Sequence, residues 1–112
     1  MLNFFPYFLV PTISVHITTV GHPILGQSGF SLTCGVNGAE DLNPSITYQW
    51  TKTNGTQTQM VGTDSKTLSF SLLLPSDAGL YSCSVAILSA YVSSVLHASE
   101  SFEVTVISRF QK

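Results

Sequence analysis

Seven residues, Asp77-Ala78-Gly79-Leu80-Tyr81-Ser82-Cys83, constrain this chain more than any others. Asp77 can hydrogen-bond backbone two residues on, and Gly79 tolerates a positive φ, so the pair marks a corner. After it, Tyr81, Cys83, Val85 and Ile87 fall on one face at period two, with Ser82, Ser84 and Ala86 on the other. A strand patterned this way must bury its apolar face. Two further stretches offer a partner surface: Phe30 to Val36, alternating around Cys34, and Ile46 to Trp50. The chain therefore supplies the surface that such a strand needs to bury its apolar face against.

Its 112 residues suffice for one domain. Hydrophobic residues make up 44%, enough for a sizeable core. Charged residues are only 9%, against about 25% in an average soluble domain. Ser and Thr supply the polarity instead, and Thr favours strands. A net charge of -2, with four scattered Lys and Arg, leaves no patch able to track phosphates, so nucleic acid is not an expected partner. The two cysteines, taken alone, fit either free thiols or a bridge.

The order Cys34, Trp50, Asp77-x-Gly79-x-Tyr81-x-Cys83 resembles the immunoglobulin superfamily, over roughly residues 13 to 107. Leu68, Phe70, Leu73 and Asp77 fit the same family's strand E and the corner that follows. The resemblance implies an immunoglobulin-like antiparallel β-sandwich of about eight strands. It implies a Cys34–Cys83 disulfide between strands B and F, Trp50 of strand C packed on it, and Tyr81 making the corner. Such a bridge implies an oxidising compartment. The interval of 49 residues between the cysteines is shorter than in variable-type domains and resembles the I-set and C2-like sets. Strand G lacks the Gly-x-Gly of antigen receptors. The family often pairs a basic residue before strand E with the corner aspartate, and Lys66 is the nearby candidate.

In chain order, residues 1–10 form an apolar, aromatic head (Phe4, Phe5, Tyr7, Phe8) of uncertain origin. The head lacks the basic start of a signal peptide and holds Pro6. Residues 11–112 form the single domain. Ile13, Val15 and Ile17 alternate as strand A, and Gly21-His22-Pro23 breaks it at a point where an edge strand can switch sheets. Strand B is expected over 28–36, C over 46–52, C′ over 57–61, E over 67–74, F over 79–87 and G over 100–107. A brief strand D has room, a full C″ does not, and no helix beyond a single turn is expected. The buried indole N–H of Trp50 would need a partner. Asn54-Gly55 predicts a type I′ hairpin turn between C and C′. Asn54-Gly55-Thr56 is also an N-glycosylation acceptor, whereas Pro44 disqualifies Asn43-Pro44-Ser45.

No enzymatic site is expected. His16, His22 and His97 are scattered, without metal-ligand spacing, and no Gly-x-Ser-x-Gly elbow or glycine-rich phosphate cradle is present. Neither a metal nor a cofactor is called for. The stretch between F and G, Leu88 to His97, is long and apolar for a loop. Tyr91, Val92, Val95 and Leu96 are its candidate partner contacts, weighed against F and G extending as a longer hairpin whose side chains cover the end of the sandwich.

The resemblance thus implies an extracellular recognition module of a cell-surface receptor, binding a protein ligand through loops or a sheet face. The alternative is a homophilic adhesion or spacer domain, which the low charge favours. The Ser/Thr-rich style and the Leu72-Leu73-Leu74-Pro75-Ser76-Asp77-Ala78-Gly79 corner look similar to domains of invertebrate receptors, such as receptor tyrosine kinase ectodomains. Any membrane attachment would lie outside this chain.

Overall fold

A computed structural model describes residues 12–108. The expectation for the aromatic head lies outside these residues. Seven strands are formed: β1 (Ser14–Val20), β2 (Ser31–Asn37), β3 (Ser45–Asn54), β4 (Gln57–Val61), β5 (Thr67–Ser69), β6 (Gly79–Leu88) and β7 (Leu96–Val104). They make two antiparallel sheets, β1-β2-β5 and β4-β3-β6-β7. The architecture is the immunoglobulin-like sandwich expected, with seven strands among the described residues where about eight were anticipated. Among the described residues, helix is confined to single 3-10 turns at Glu40–Leu42 and Pro75–Asp77.

The alternation dictates the core. Tyr81, Cys83, Val85 and Ile87 are all buried, facing Leu32 and Cys34 of β2. Cys34 and Cys83 are fully buried and disulfide-bonded, with Cα atoms 6.3 Å apart. Trp50 lies level with Cys83 across the β3–β6 ladder, 1% exposed, and its indole N–H donates to the Ser65 carbonyl at 2.9 Å. Burying a ring of that size removes ~150–250 Å² from water, roughly 4–6 kcal/mol gross.

The corner is built from reciprocal hydrogen bonds. The Leu74 amide donates to Asp77 Oδ2 at 2.8 Å, and the Asp77 amide returns to the Leu74 carbonyl at 2.9 Å. The Tyr81 hydroxyl then donates to the Asp77 carbonyl at 2.6 Å. Gly79 follows at φ +155. Burial of the Tyr81 phenol, then the nearby Asp77 charge, pushes its pKa up from 10.0 to about 12. Phe70 packs between Phe30 and Tyr81, with ring centroids 5.3 and 5.4 Å away.

Several details differ from expectation. Strand E is three residues long rather than eight. Gly26 and Gly29 hold φ of +80 and +88, which bends the partner stretch before β2 out of the extended conformation. Strand B accordingly starts at Ser31, and the chain beyond Ser69 keeps only irregular bonds, such as Leu73 to Gln27 at 3.0 Å. Strand G opens at Leu96 and ends at Val104 rather than spanning 100–107, because F and G extend as a longer hairpin, the alternative weighed for residues 88–97. No strand D forms among the described residues. Residues 62–66 are held against β3 instead: the Tyr48 amide donates to Asp64 Oδ1 at 2.7 Å, just past the point where β4 ends, and Ser65 takes the indole bond.

The C–C′ turn also differs. Asn54 pairs with Gln57, so Gly55 and Thr56 are the two central residues, and only Gly55 has a positive φ, +65. That matches the II′ pattern, with glycine first, rather than I′. The cation brought to the E–F corner is Lys52, not Lys66. Lys52 Nζ donates to the Ser76 carbonyl and sits 5.6 Å from the Tyr81 ring centroid. Lys66 lies beside the core, where its carbonyl accepts from the Cys34 amide. The break after β1 does switch sheets: Ile24 bridges Ile107 in parallel, with Leu25 donating to the Ile107 carbonyl at 2.8 Å.

Candidate interaction surface

The loops joining β2 to β3 and β6 to β7 meet at one end of the sandwich. Ser45 pairs with Leu88 there, and the β6–β7 loop runs over residues 89–95. The β2–β3 loop is less polar than its composition suggests. Ala39 is buried and Leu42 half-buried, so the loop caps the core.

Ser89 ties the two loops together. Its hydroxyl donates to the Leu42 carbonyl at 2.7 Å and accepts from the Tyr91 amide at 3.1 Å. The Val92 amide donates to the Ser89 carbonyl at 3.3 Å. One serine thus fixes both the loop base and the residue carrying its largest side chain. Tyr91 is 72% exposed, Val95 42% and Leu88 58%. Leu88, Ser89 and Ala90 face Asn43, Pro44 and Ser45 across an open hollow of about 400 Å³.

The structure does not hold the four sequence candidates together as one surface. Tyr91 and Val95 are exposed, Val92 is half-buried, and Leu96 belongs to β7. Leu96 pairs with Ile87 and packs against the core, because the strand begins one residue before His97. Leu88 takes its place on the surface. Its outward position was already implied by the β6 alternation.

The second candidate surface is a sheet face. The outward side of the four-stranded sheet carries Thr47, Gln49 and Thr51 from β3, Ser82, Ser84 and Ala86 from β6, and Met60 from β4. His97 and Glu103 of β7 are its ionisable members. It forms a hollow of about 470 Å³, bounded by Met60, His97 and the Gly62–Asp64 turn. Hydroxyls bridge neighbouring strands, as in the 2.7 Å Ser82–Ser101 and 2.9 Å Thr53–Thr58 contacts. Among the described residues, no three His, Cys, Asp or Glu side chains gather as a metal site would require.

No protein-family model matches the chain, and no curated protein matches it in sequence. Among solved structures, it is similar to the three N-terminal domains of the Highly Immunogenic Outer Capsid protein (Hoc) of bacteriophage RB49. The TM-score is 0.53 at 13% identity, covering 86% of this chain and 40% of that three-domain chain. This chain therefore spans less than half of that neighbour. The likeness concerns the fold, which hosts many functions.

Proposed function

We propose that the domain is an extracellular recognition module that holds a protein ligand at the end where the β2–β3 and β6–β7 loops meet. The observation that carries this reading is Tyr91, an exposed aromatic on a loop pinned by Ser89. A rigidly presented tyrosine gives contact area at low entropic cost. The buried disulfide supports an oxidising setting. The finer reading is the ectodomain of a cell-surface receptor, of which the receptor tyrosine kinases suggested by the resemblance are one kind. A tetramer of the domain, used to stain intact cells of the source organism, tests it. Y91S combined with V95S should abolish staining while the melting temperature stays put. Undiminished staining by that variant would refute the reading.

A second reading is self-association, as an adhesion or spacer domain would show. The nearly uncharged outward face of the four-stranded sheet favours it, since little repulsion opposes two copies meeting. Sedimentation decides: a strict monomer at high micromolar concentration rules it out.

A further inference from the structure

We infer that Asn54 carries an N-linked glycan, and that this glycan shields the open edge of β4. Asn54-Gly55-Thr56 is the one acceptor run in the sequence. The fold places Asn54 at the tip of the β3–β4 hairpin, exposed, with nothing within 4 Å of the space beside Gly55. In the transfer, the Asn54 amide nitrogen bonds to the anomeric carbon of an oligosaccharide carried on a lipid diphosphate. The bond from that carbon to the phosphate oxygen breaks, the lipid diphosphate leaves with the electron pair, and one amide proton is released.

The position has two consequences. β3 runs nine residue steps from Ser45 to Asn54, about 30 Å at the usual strand rise, so the glycan sits at the opposite end from Tyr91. It also sits on a ribbon that the other sheet does not cover. Lys52, Asn54, Gln57 and Gln59 share one side of that ribbon and line a polar trough of about 390 Å³, where a first sugar can lie.

The shielding argument comes from comparing edges. An exposed strand edge templates pairing with another chain unless it is short, charged, bent or covered. β5 is three residues long. β7 carries Glu100 and Glu103, and Ile24 pairs with Ile107 three residues past its end. β1, Ser14–Val20, holds His16 mid-strand and stops at Gly21-His22-Pro23, so it is the other long, weakly guarded edge. β4, Gln57-Thr58-Gln59-Met60-Val61, has five residues, no charge and no proline, and is almost wholly exposed. It is the edge that begins three residues after the acceptor asparagine.

The inference rests on the extracellular reading, but its test uses mass and association rather than ligand capture. The domain is secreted from an animal cell line, and its mass is compared with those of N54Q, T56A and T56S. The parent and T56S should be heavier by one glycan, and N54Q and T56A should not. A secreted, disulfide-bonded parent of unmodified mass overturns the assignment. The parent should then sediment as a monomer at concentrations where T56A associates, and T58K added to T56A should restore the monomer. A monomeric T56A, or one whose association T58K leaves unchanged, overturns the shielding role. Association of the glycosylated parent would instead point to the outward sheet face.

Discussion

Replacing Tyr81 with phenylalanine removes one oxygen and, with it, the 2.6 Å bond to the Asp77 carbonyl. The ring keeps its place, because Phe70 contacts it edge-on. A hydrogen bond of this kind contributes about 1 kcal/mol net, which shifts the melting temperature of a domain this size by roughly 4–8 °C. The more discriminating readout is pH. The phenol titrates near 10 in the unfolded chain and at about 12 in the fold, chiefly because it is buried. Below pH 10 both states hold the proton and the contribution is whole. Between 10 and 12 the unfolded state gives its proton up first, so stability falls as pH rises. At pH 11, halfway through that window, about 1 kcal/mol is lost. The parent's advantage over Y81F should therefore be about 1 kcal/mol at pH 7 and close to nothing near pH 11. Urea unfolding of both proteins at each pH measures it, and the other tyrosines cancel in the difference. A gap that stays constant to pH 11, or is absent at pH 7, refutes the account of the corner.

Three further outcomes are expected. The double variant C34A/C83A should lose about 4 kcal/mol in denaturant unfolding, from reopening a loop of 49 residues' separation on the chain-entropy model. D64A should lose about 1 kcal/mol because the Tyr48 amide is left without its acceptor, while D64N, which keeps an oxygen there, should lose less. P44A lifts the block on the acceptor run at Asn43, so a glycan can be placed beside Leu88 and Ser89. In the doubly glycosylated protein, cell staining should vanish at an unchanged melting temperature; persistent staining would move the ligand elsewhere.

How far the sequence spoke depended on the range of the interaction. Period-two alternation is local, so β6, β3 and β4 were legible nearly to the residue, and the core face of β6 came with them. The disulfide and the tyrosine corner were legible because a run of spaced residues resembles a known pattern. What failed was decided by partners distant in sequence. Strand E is shorter than its alternation suggests because its ladder depends on Gly26 and Gly29, some forty residues earlier. Lys66 looked close to Asp77 along the chain, yet Lys52 reaches the corner through the sheet. The hinge of the candidate surface, Ser89 on Leu42, spans 47 residues and joins two loops. Nothing in a serine among 16 marks it as the one that matters.

The same distinction explains why an edge matters more here than in a charged domain. With charged residues at 9%, the chain has few Lys or Glu to station on exposed strands, and those of β7 already occupy one border. Hydroxyls satisfy the faces of the sheets, as the Ser82–Ser101 and Thr53–Thr58 contacts show, but a hydroxyl does not repel a second strand. Low charge therefore leaves the problem of edges to other devices: brevity at β5, and at β4 a modification whose acceptor the hairpin turn itself supplies. The II′ turn is part of that arrangement. It sets Gly55 and Thr56 at the centre and leaves Asn54 as the last paired residue of β3, so the glycan is anchored on a paired strand residue at the hairpin tip, beside the edge it covers.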